Sequence, residues 1–247
     1  MLTTGRRRVA VVVALVAATA GAVVTATLDT GQPHHAEVSA TLQHGRAESA
    51  GQTQIVTVRT AVQRYVRPDG SPDGIVPPSW YGAASVLPVL AQRPGWVEVE
   101  LATRPNGSTA WIQRGSSVEM AATPYRITIS LSARRLQLFR LGRLVMTASA
   151  AIGTAQYQTP TGKFFLAFFE RSPSPGYGPF IIVTSAHSPA ISDWEGSGDA
   201  VIGIHGPLGS VIGAAGARIT HGCIRLDDAD LARLRDVPAG TPIVITG

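Results

Sequence analysis

The chain holds one cysteine, Cys223, among its 247 residues. It follows His221 by two residues and His205 by eighteen, within Ile204-His205-Gly206-Pro207 and Thr220-His221-Gly222-Cys223-Ile224-Arg225-Leu226. A lone cysteine has no partner for an internal disulfide. It is then an intermolecular bridge, an inert buried thiol or a free reactive thiol. Taken alone, the inert buried thiol is the ordinary fate. A thiol attacks well only as thiolate, and its reference pKa of about 8.5 falls beside an imidazole or another positive centre. Nucleophilic catalysis further needs a base within hydrogen-bond reach and a group that orients that base. Two histidines are candidates. His221 shares the segment of Cys223 and, if the segment is extended, projects to the same face. His205 ends the strand-like run Val201-Ile202-Gly203-Ile204 and must be brought in by the fold. Proximity alone favours His221. Gly206 and Gly222 leave the backbone uncovered beside each histidine, which suits a close-lying peptide substrate and an oxyanion hole of backbone N–H groups. A metal site built from His205, His221 and Cys223 is the rival chemistry. It lacks a fourth ligand, since no Asp or Glu lies between His205 and Cys223.

The elements around these residues read as β structure. Ile127-Thr128-Ile129-Ser130-Leu131 and Leu136-Gln137-Leu138-Phe139-Arg140-Leu141 alternate, and Leu141-Gly142-Arg143 turns the chain into Leu144-Val145-Met146. This predicts a meander with one face buried. Thr159-Pro160-Thr161-Gly162 is a turn feeding a strand through Phe164 and Phe165, and Phe180 to Val183 is a further strand. Residues 171–179 and 185–200 are predicted loops. A short helix is predicted from Asp227 or Asp228, with Leu231 and Leu234 as its apolar face. Thr241 to Thr246 is a terminal strand.

Upstream, Ile55-Val56-Thr57-Val58, Trp96-Val97-Glu98-Val99-Glu100-Leu101 and Ala110-Trp111-Ile112 predict a small all-β module over 55–120, with Trp96 and Trp111 in its core. Its Gly95-Trp96-Val97-Glu98-Val99 stretch, turn and Ala110-Trp111-Ile112 resemble Src-homology-3-type barrels of wall proteins. Residues 29–54 are polar and small and read as a linker, in which His34 and His35 are solvated. Arg6-Arg7-Arg8 precedes the uncharged run Val9–Leu28, the pattern of an export signal. Ala18-Thr19-Ala20 and Val24-Thr25-Ala26 resemble cleavage sites. The run is also long enough, at about 20 residues, to remain as a membrane anchor with the arginines on the cytoplasmic side, and its length favours the anchor. Either fate places residues 30–247 outside the cytoplasm.

His205-Gly206 followed by Thr220-His221-Gly222-Cys223-Ile224-Arg225 resembles the signature of the bacterial L,D-transpeptidases: a His-Gly pair, a loop, then Ser/Thr-His-Gly-Cys, an apolar residue and Asn or Arg. Pro160-Thr161-Gly162-Lys163-Phe164 is similar to the family's Pro-Thr-Gly-x-Phe segment. The resemblance covers residues 124–247. It implies a mainly β chain: a β-sandwich catalytic domain with one short helix, preceded by the small barrel. It assigns Cys223 as nucleophile and His205, against proximity, as the proton acceptor and donor. The carbonyl of Gly206 would hold the tautomer of His205, and His221 would support the loop or the oxyanion site. The N–H of Cys223, with that of Gly222, would stabilise the oxyanion. Thr220, Arg225, Tyr177, Gly178 and His187 are candidate substrate contacts. Thr220 and Arg225 stand where the family more often has Ser and Asn.

The implied reaction is cleavage of the bond between an L-centre and the terminal D-alanine of a wall tetrapeptide. D-alanine leaves, a thioester forms, and an amine of a second stem peptide resolves it. Peptidoglycan stem peptides are the implied partners, carbapenems the implied acylating inhibitors, and no cofactor or metal is expected. Hydrolysis of the thioester by water would make the chain an L,D-carboxypeptidase. A non-catalytic or metal-holding wall-binding protein is the alternative of another class. The formal charge of +5 is carried almost wholly by arginine, part of it in Arg6–Arg8. No basic stripe interleaved with aromatics appears, which argues against nucleic acid. The charge does suit an anionic wall.

Overall fold

A computed structural model describes residues 51–194, 196–208 and 216–247. The export segment and nearly all of the expected linker lie outside these residues. Among the described residues no helix is long and apolar enough to cross a membrane.

The chain is mainly β, as its alternating patterns predict. The first strands are β1 (Thr53–Val58), β2 (Val62–Tyr65), β3 (Pro72–Val76), β4 (Ser79–Trp80), β5 (Ala83–Ala84), β6 (Val86–Arg93), β7 (Trp96–Glu100), β8 (Thr109–Gln113) and β9 (Val118–Thr123). Seven of them form an antiparallel sheet in the order β3-β2-β8-β7-β6-β1-β9. β2 to β6 and β9 are not legible in the sequence. Pro72, Pro88 and the weakly alternating Val118–Thr123 hide the period that marks a strand. Trp96 and Trp111 are buried, as their place in the module's core predicts, and Tyr65 meets Trp96 edge-on at 4.9 Å.

The second half contributes β10 (Tyr125–Ser130), β11 (Arg135–Arg140), β12 (Arg143–Ser149), β13 (Ile152–Gly153), β14 (Gly162–Glu170), β15 (Ile181–His187), β16 (Val201–His205), β17 (Arg218–Thr220), β18 (Ile224–Arg225), α1 (Asp228–Ala232) and β19 (Pro242–Thr246). Eight of these strands make one sheet, β12-β11-β10-β19-β14-β15-β16-β18. Met146 and Ala148 at one edge and Ile224 at the other enter a single buried core. The sheet therefore curls over itself, and the two layers of the expected sandwich are two parts of one sheet. The β11–β12 turn has Leu141 and Gly142 both at positive φ, 48° and 74°, the geometry that matches strand twist in a two-residue hairpin. α1 starts at Asp228 after the N-cap Asp227, whose side chain makes no capping bond.

β14 joins the halves. Phe164 and Leu166 enter the core of the curled sheet, while Phe165 and Ala167 enter the core of the N-terminal sheet. The unbroken run Phe164-Phe165-Leu166-Ala167 is thus buried on both faces. Beside it, a crevice of about 210 Å³ between the two sheets is lined by Glu100, Arg126 and Lys163 among apolar neighbours. Glu100 is 5% exposed. Burial pushes its carboxyl from 4.5 up to about 7, and Lys163 opposes the rise. Because the folded state holds this proton more tightly than the unfolded chain, the associated stability is complete below about pH 4.5 and is lost as pH rises through about 7. Glu100→Gln should therefore match wild type at pH 4 and exceed it at pH 8 by up to about 3 kcal/mol. Denaturant melts at both pH values check this.

Candidate active site

The thiol and an imidazole meet on one residue of β16. β18 pairs in parallel with β16, with Ile204 opposite Ile224 and His205 opposite Arg225. Cys223, just before β18, is thereby laid along β16. Its Sγ accepts the N–H of Gly203 at 3.5 Å. Gly203 and His205 lie two apart on the strand and face the same way. A Cβ built on Gly203 would lie 3.9 Å from His205 Cδ2, so the ring stands over the glycine that holds the sulfur.

His205 is 1% exposed, and its Nδ1–H donates to the carbonyl of Gly206 at 2.8 Å. A carbonyl can only accept, so the proton is on Nδ1 and Nε2 carries the lone pair. Nε2 has no hydrogen-bond partner among the described residues. Tyr177 flanks the ring, centroids 4.9 Å apart. Burial lowers the His205 pKa to about 4; the Gly206 bond opposes this and the charge of Arg225 adds to it. Burial also pushes the Cys223 thiol up, against the downward pull of the Gly203 N–H and Arg225. At neutral pH both groups rest uncharged, as thiol and neutral imidazole.

The turn that carries Cys223 is braced from two sides. Thr220 Oγ1 donates to the Cys223 carbonyl at 2.6 Å and accepts the Gly222 N–H at 3.1 Å. Thr159 Oγ1 donates to the Gly222 carbonyl at 2.8 Å and accepts the Gly153 N–H at 3.0 Å. In a trans peptide the C=O and the following N–H point opposite ways. Holding the Gly222 carbonyl on Thr159 thus turns the Cys223 N–H away from Thr159. Gly222 sits at φ 117°, where other residues are strained, and a Cβ there would meet Ile202 Cδ1 at 2.9 Å.

Several expected contacts are revised by this geometry. The Gly222 N–H, expected to share the oxyanion role, is taken by Thr220. Thr220 is 1% exposed and braces the turn instead of facing a substrate. Gly178 serves close packing: a Cβ on it would lie 3.3 Å from Gly206 Cα and 2.5 Å from Asp228 Oδ1. Tyr177 is buried against His205. His187 ends β15 instead of lying in a loop, is 1% exposed, and has Nδ1 2.8 Å from Asp199 Oδ2. Its side chain supports the loop from beneath. His221 stands between Tyr157 and Trp194, at 4.6 and 5.7 Å, as part of the wall. Arg225 is half-buried, and its Nε lacks a partner among the described residues. Thr159 and Trp194 are the residues that sequence reasoning missed. Thr159 directly precedes the recognised Pro160-Thr161-Gly162 segment, which was the available signal.

The two histidines and the thiol do not form a ligand set. Nδ1 of His205 is committed to Gly206, and among the described residues no three His, Cys, Asp or Glu side chains converge as metal ligands. The bracing role of Thr159 gives a test. Thr159→Val leaves a buried carbonyl and N–H unpaired, which should cost about 1–3 kcal/mol of stability. It should also slow acylation of Cys223 by roughly tenfold or more, while Thr159→Ser keeps both. Thermal melts and acylation rates measured on the two variants decide it.

A family model of the L,D-transpeptidase catalytic domain, YkuD, matches residues 124–245. The YkuD protein of Bacillus licheniformis is 39% identical over 125 residues, covering 50% of this chain and 66% of that protein. The YkuD protein of Bacillus subtilis is 30% identical over 123 residues, covering 49% and 66%. The match spans just under two thirds of the length of these relatives. Among solved structures, an L,D-transpeptidase from Mycobacterium smegmatis aligns over 66% of this chain and 90% of its own, at 18% identity and a TM-score of 0.40. With the family model matching these residues and two curated relatives each aligning over about half of the chain, residues 124–245 belong to the YkuD family of L,D-transpeptidase catalytic domains.

Proposed function

We propose that the chain is a peptidoglycan L,D-transpeptidase with Cys223 as nucleophile and His205 as its base. The observation that carries this reading is the convergence of a thiol and a tautomer-held, buried imidazole on Gly203. In the first half-reaction the S–H proton passes to His205 Nε2 and sulfur bonds to the carbonyl carbon between an L-centre and a terminal D-alanine. The oxyanion is held by the Cys223 N–H, which Thr159 and Thr220 position, and Arg225 supplies positive charge nearby. On collapse the C–N bond breaks, His205 returns its proton to the departing amine, and D-alanine leaves a thioester on Cys223. In the second half-reaction an amine of another stem peptide attacks the thioester and His205 takes its proton. The new amide forms and the thiol is restored.

The proposed setting is the cell envelope outside the cytoplasm, with residues 1–28 as signal or anchor and wall stem peptides as donor and acceptor. Carbapenems are proposed to acylate the same sulfur. Intact mass measurement with a tetrapeptide donor should give a thioester adduct and free D-alanine for the wild type only. Cys223→Ala should give neither, and His205→Ala should be slower by at least about 100-fold. Adding an acceptor amine should yield a cross-linked dimer. Free tetrapeptide trimmed by water in its place would make the chain a carboxypeptidase, and no adduct at all would end the enzymatic reading.

The state of His205 fixes the shape of the pH profile. With its imidazole held down to about 4, the base stays neutral throughout the working range and is lost only as pH falls through about 4. The acid limb of kcat/KM, or of carbapenem acylation, should therefore lie near pH 4. An inflection near the ordinary imidazole value of about 6.5 would contradict the buried neutral base.

A further inference from the structure

One turn of the N-terminal unit reaches across to the wall of the active site. The Arg104 guanidinium is fully engaged there. Its Nε lies 2.8 Å from Asp199 Oδ1, and its two terminal nitrogens donate to the carbonyls of Ser188 and Ile191, each at 2.9 Å. Asn106 adds a paired bond to the backbone of His187, donating to its carbonyl and accepting its N–H, both at 2.8 Å. The other oxygen of Asp199 lies 2.8 Å from His187 Nδ1. Residues on both arms of the connection between β15 and β16 are thus held by side chains from the other half of the molecule.

That connection carries Trp194. Its N–H donates to the Asp199 carbonyl at 2.9 Å, and its ring lies 5.7 Å from that of His221, two residues before Cys223. The other described bonds of this connection are local, such as Gly198 N–H to Asp193 Oδ1 and Ser197 N–H to the Trp194 carbonyl. A segment rich in Ser, Gly and Asp has little apolar surface with which to fix itself. An arginine with its planar donor fork spent on one carboxylate and two carbonyls supplies that missing constraint.

We propose that Arg104 is a positioning residue: from the N-terminal unit, through Asp199, it sets where Trp194 stands against His221 and so the shape of the groove beside Cys223. The kinetic part of this proposal rests on the acyl-transfer reading above; the positional part does not. It gives the N-terminal unit a role in catalysis that needs no ligand of its own.

The test uses the whole chain with Arg104→Ala, Arg104→Lys, Trp194→Ala and the double variant Arg104→Ala/Trp194→Ala. The NMR signal of the His221 ring, assigned through His221→Gln, should move in Arg104→Ala towards its position in Trp194→Ala, and move less in Arg104→Lys. KM for a tetrapeptide donor should rise about tenfold in Arg104→Ala with kcat within about twofold. In the Trp194→Ala background the Arg104 change should add nothing further. Alkylation of Cys223 by a small reagent should keep its wild-type rate, since Arg104 touches neither Cys223, His205 nor Gly203. A His221 signal unmoved by Arg104→Ala overturns the proposal. Multiplying effects of the two substitutions, or a matching loss of alkylation that reports general unfolding, overturn it as well. If the wild type fails to turn over the donor, the acyl-transfer reading falls and the His221 signal still decides the position of Trp194.

Discussion

The site hangs on a short parallel pairing between β16 and β18. Only two residue pairs make it, Ile204 with Ile224 and His205 with Arg225. It is reinforced by Leu226 N–H to the His205 carbonyl and by the two-way exchange between Ala151 and Arg225, all at 2.9 Å. Parallel strands cannot be joined by a tight turn. The chain must therefore leave the sheet after His205 and return to it at Ile224, and the crossing brings together residues twenty apart. Because Ile204 and Ile224 are fully buried side by side, a slip of one residue would turn both out of the core and carry Cys223 away from Gly203. The precision of the chemistry comes from the cost of exposing those two side chains.

Burial also decides the protonation of the pair. An exposed cysteine and histidine in hydrogen-bond contact would be drawn towards a thiolate and an imidazolium. Here the low polarity around them penalises both charged forms, and the nearby Arg225 favours the thiolate while it disfavours the imidazolium. The Gly206 carbonyl acts on the same ring through geometry, since by accepting Nδ1–H it leaves the lone pair on the opposite nitrogen, Nε2. Thr159 does the equivalent work for the peptide that precedes Cys223, and Thr220 for the one that follows it. Three carbonyl contacts therefore fix the His205 tautomer and the orientation of the peptides on either side of Cys223.

The N-terminal sheet is built into this arrangement. Phe165 and Ala167 of β14 complete its core, while Phe164 and Leu166 of the same strand fill the core beneath the active site. A strand with both faces buried cannot shift for one partner without disturbing the other, so the two halves are mechanically coupled. Arg104 and Asn106 extend the coupling to the connection that carries Trp194. A module that would otherwise read as a spacer or a wall-binding barrel thereby becomes part of the frame that shapes the groove.

By itself the sequence pointed to the family, to a candidate thiol site and to much of the local structure. The lone Cys223 with His205, His221, Gly206 and Gly222 specified a thiol site. The alternation in Ile127–Leu131 and Leu136–Leu141, with the turn at Leu141-Gly142, specified a meander that the structure contains. These are legible because side-chain period and turn chemistry act over a few residues. Tertiary structure alone decided which groups touch. Spacing favoured His221 as the base, the family signature pointed to His205, and the β16–β18 register laid Cys223 beside Gly203, on the strand that carries His205, while Tyr157 and Trp194 took His221 into the wall. Thr159 reaches Gly222 across sixty-three positions and Arg104 reaches Asp199 across ninety-five. His187, a plausible groove residue by its loop-like surroundings, ended a strand and was buried against Asp199. Such contacts join positions far apart in the chain, and they exist only once the hydrophobic faces of two sheets have chosen their partners and register.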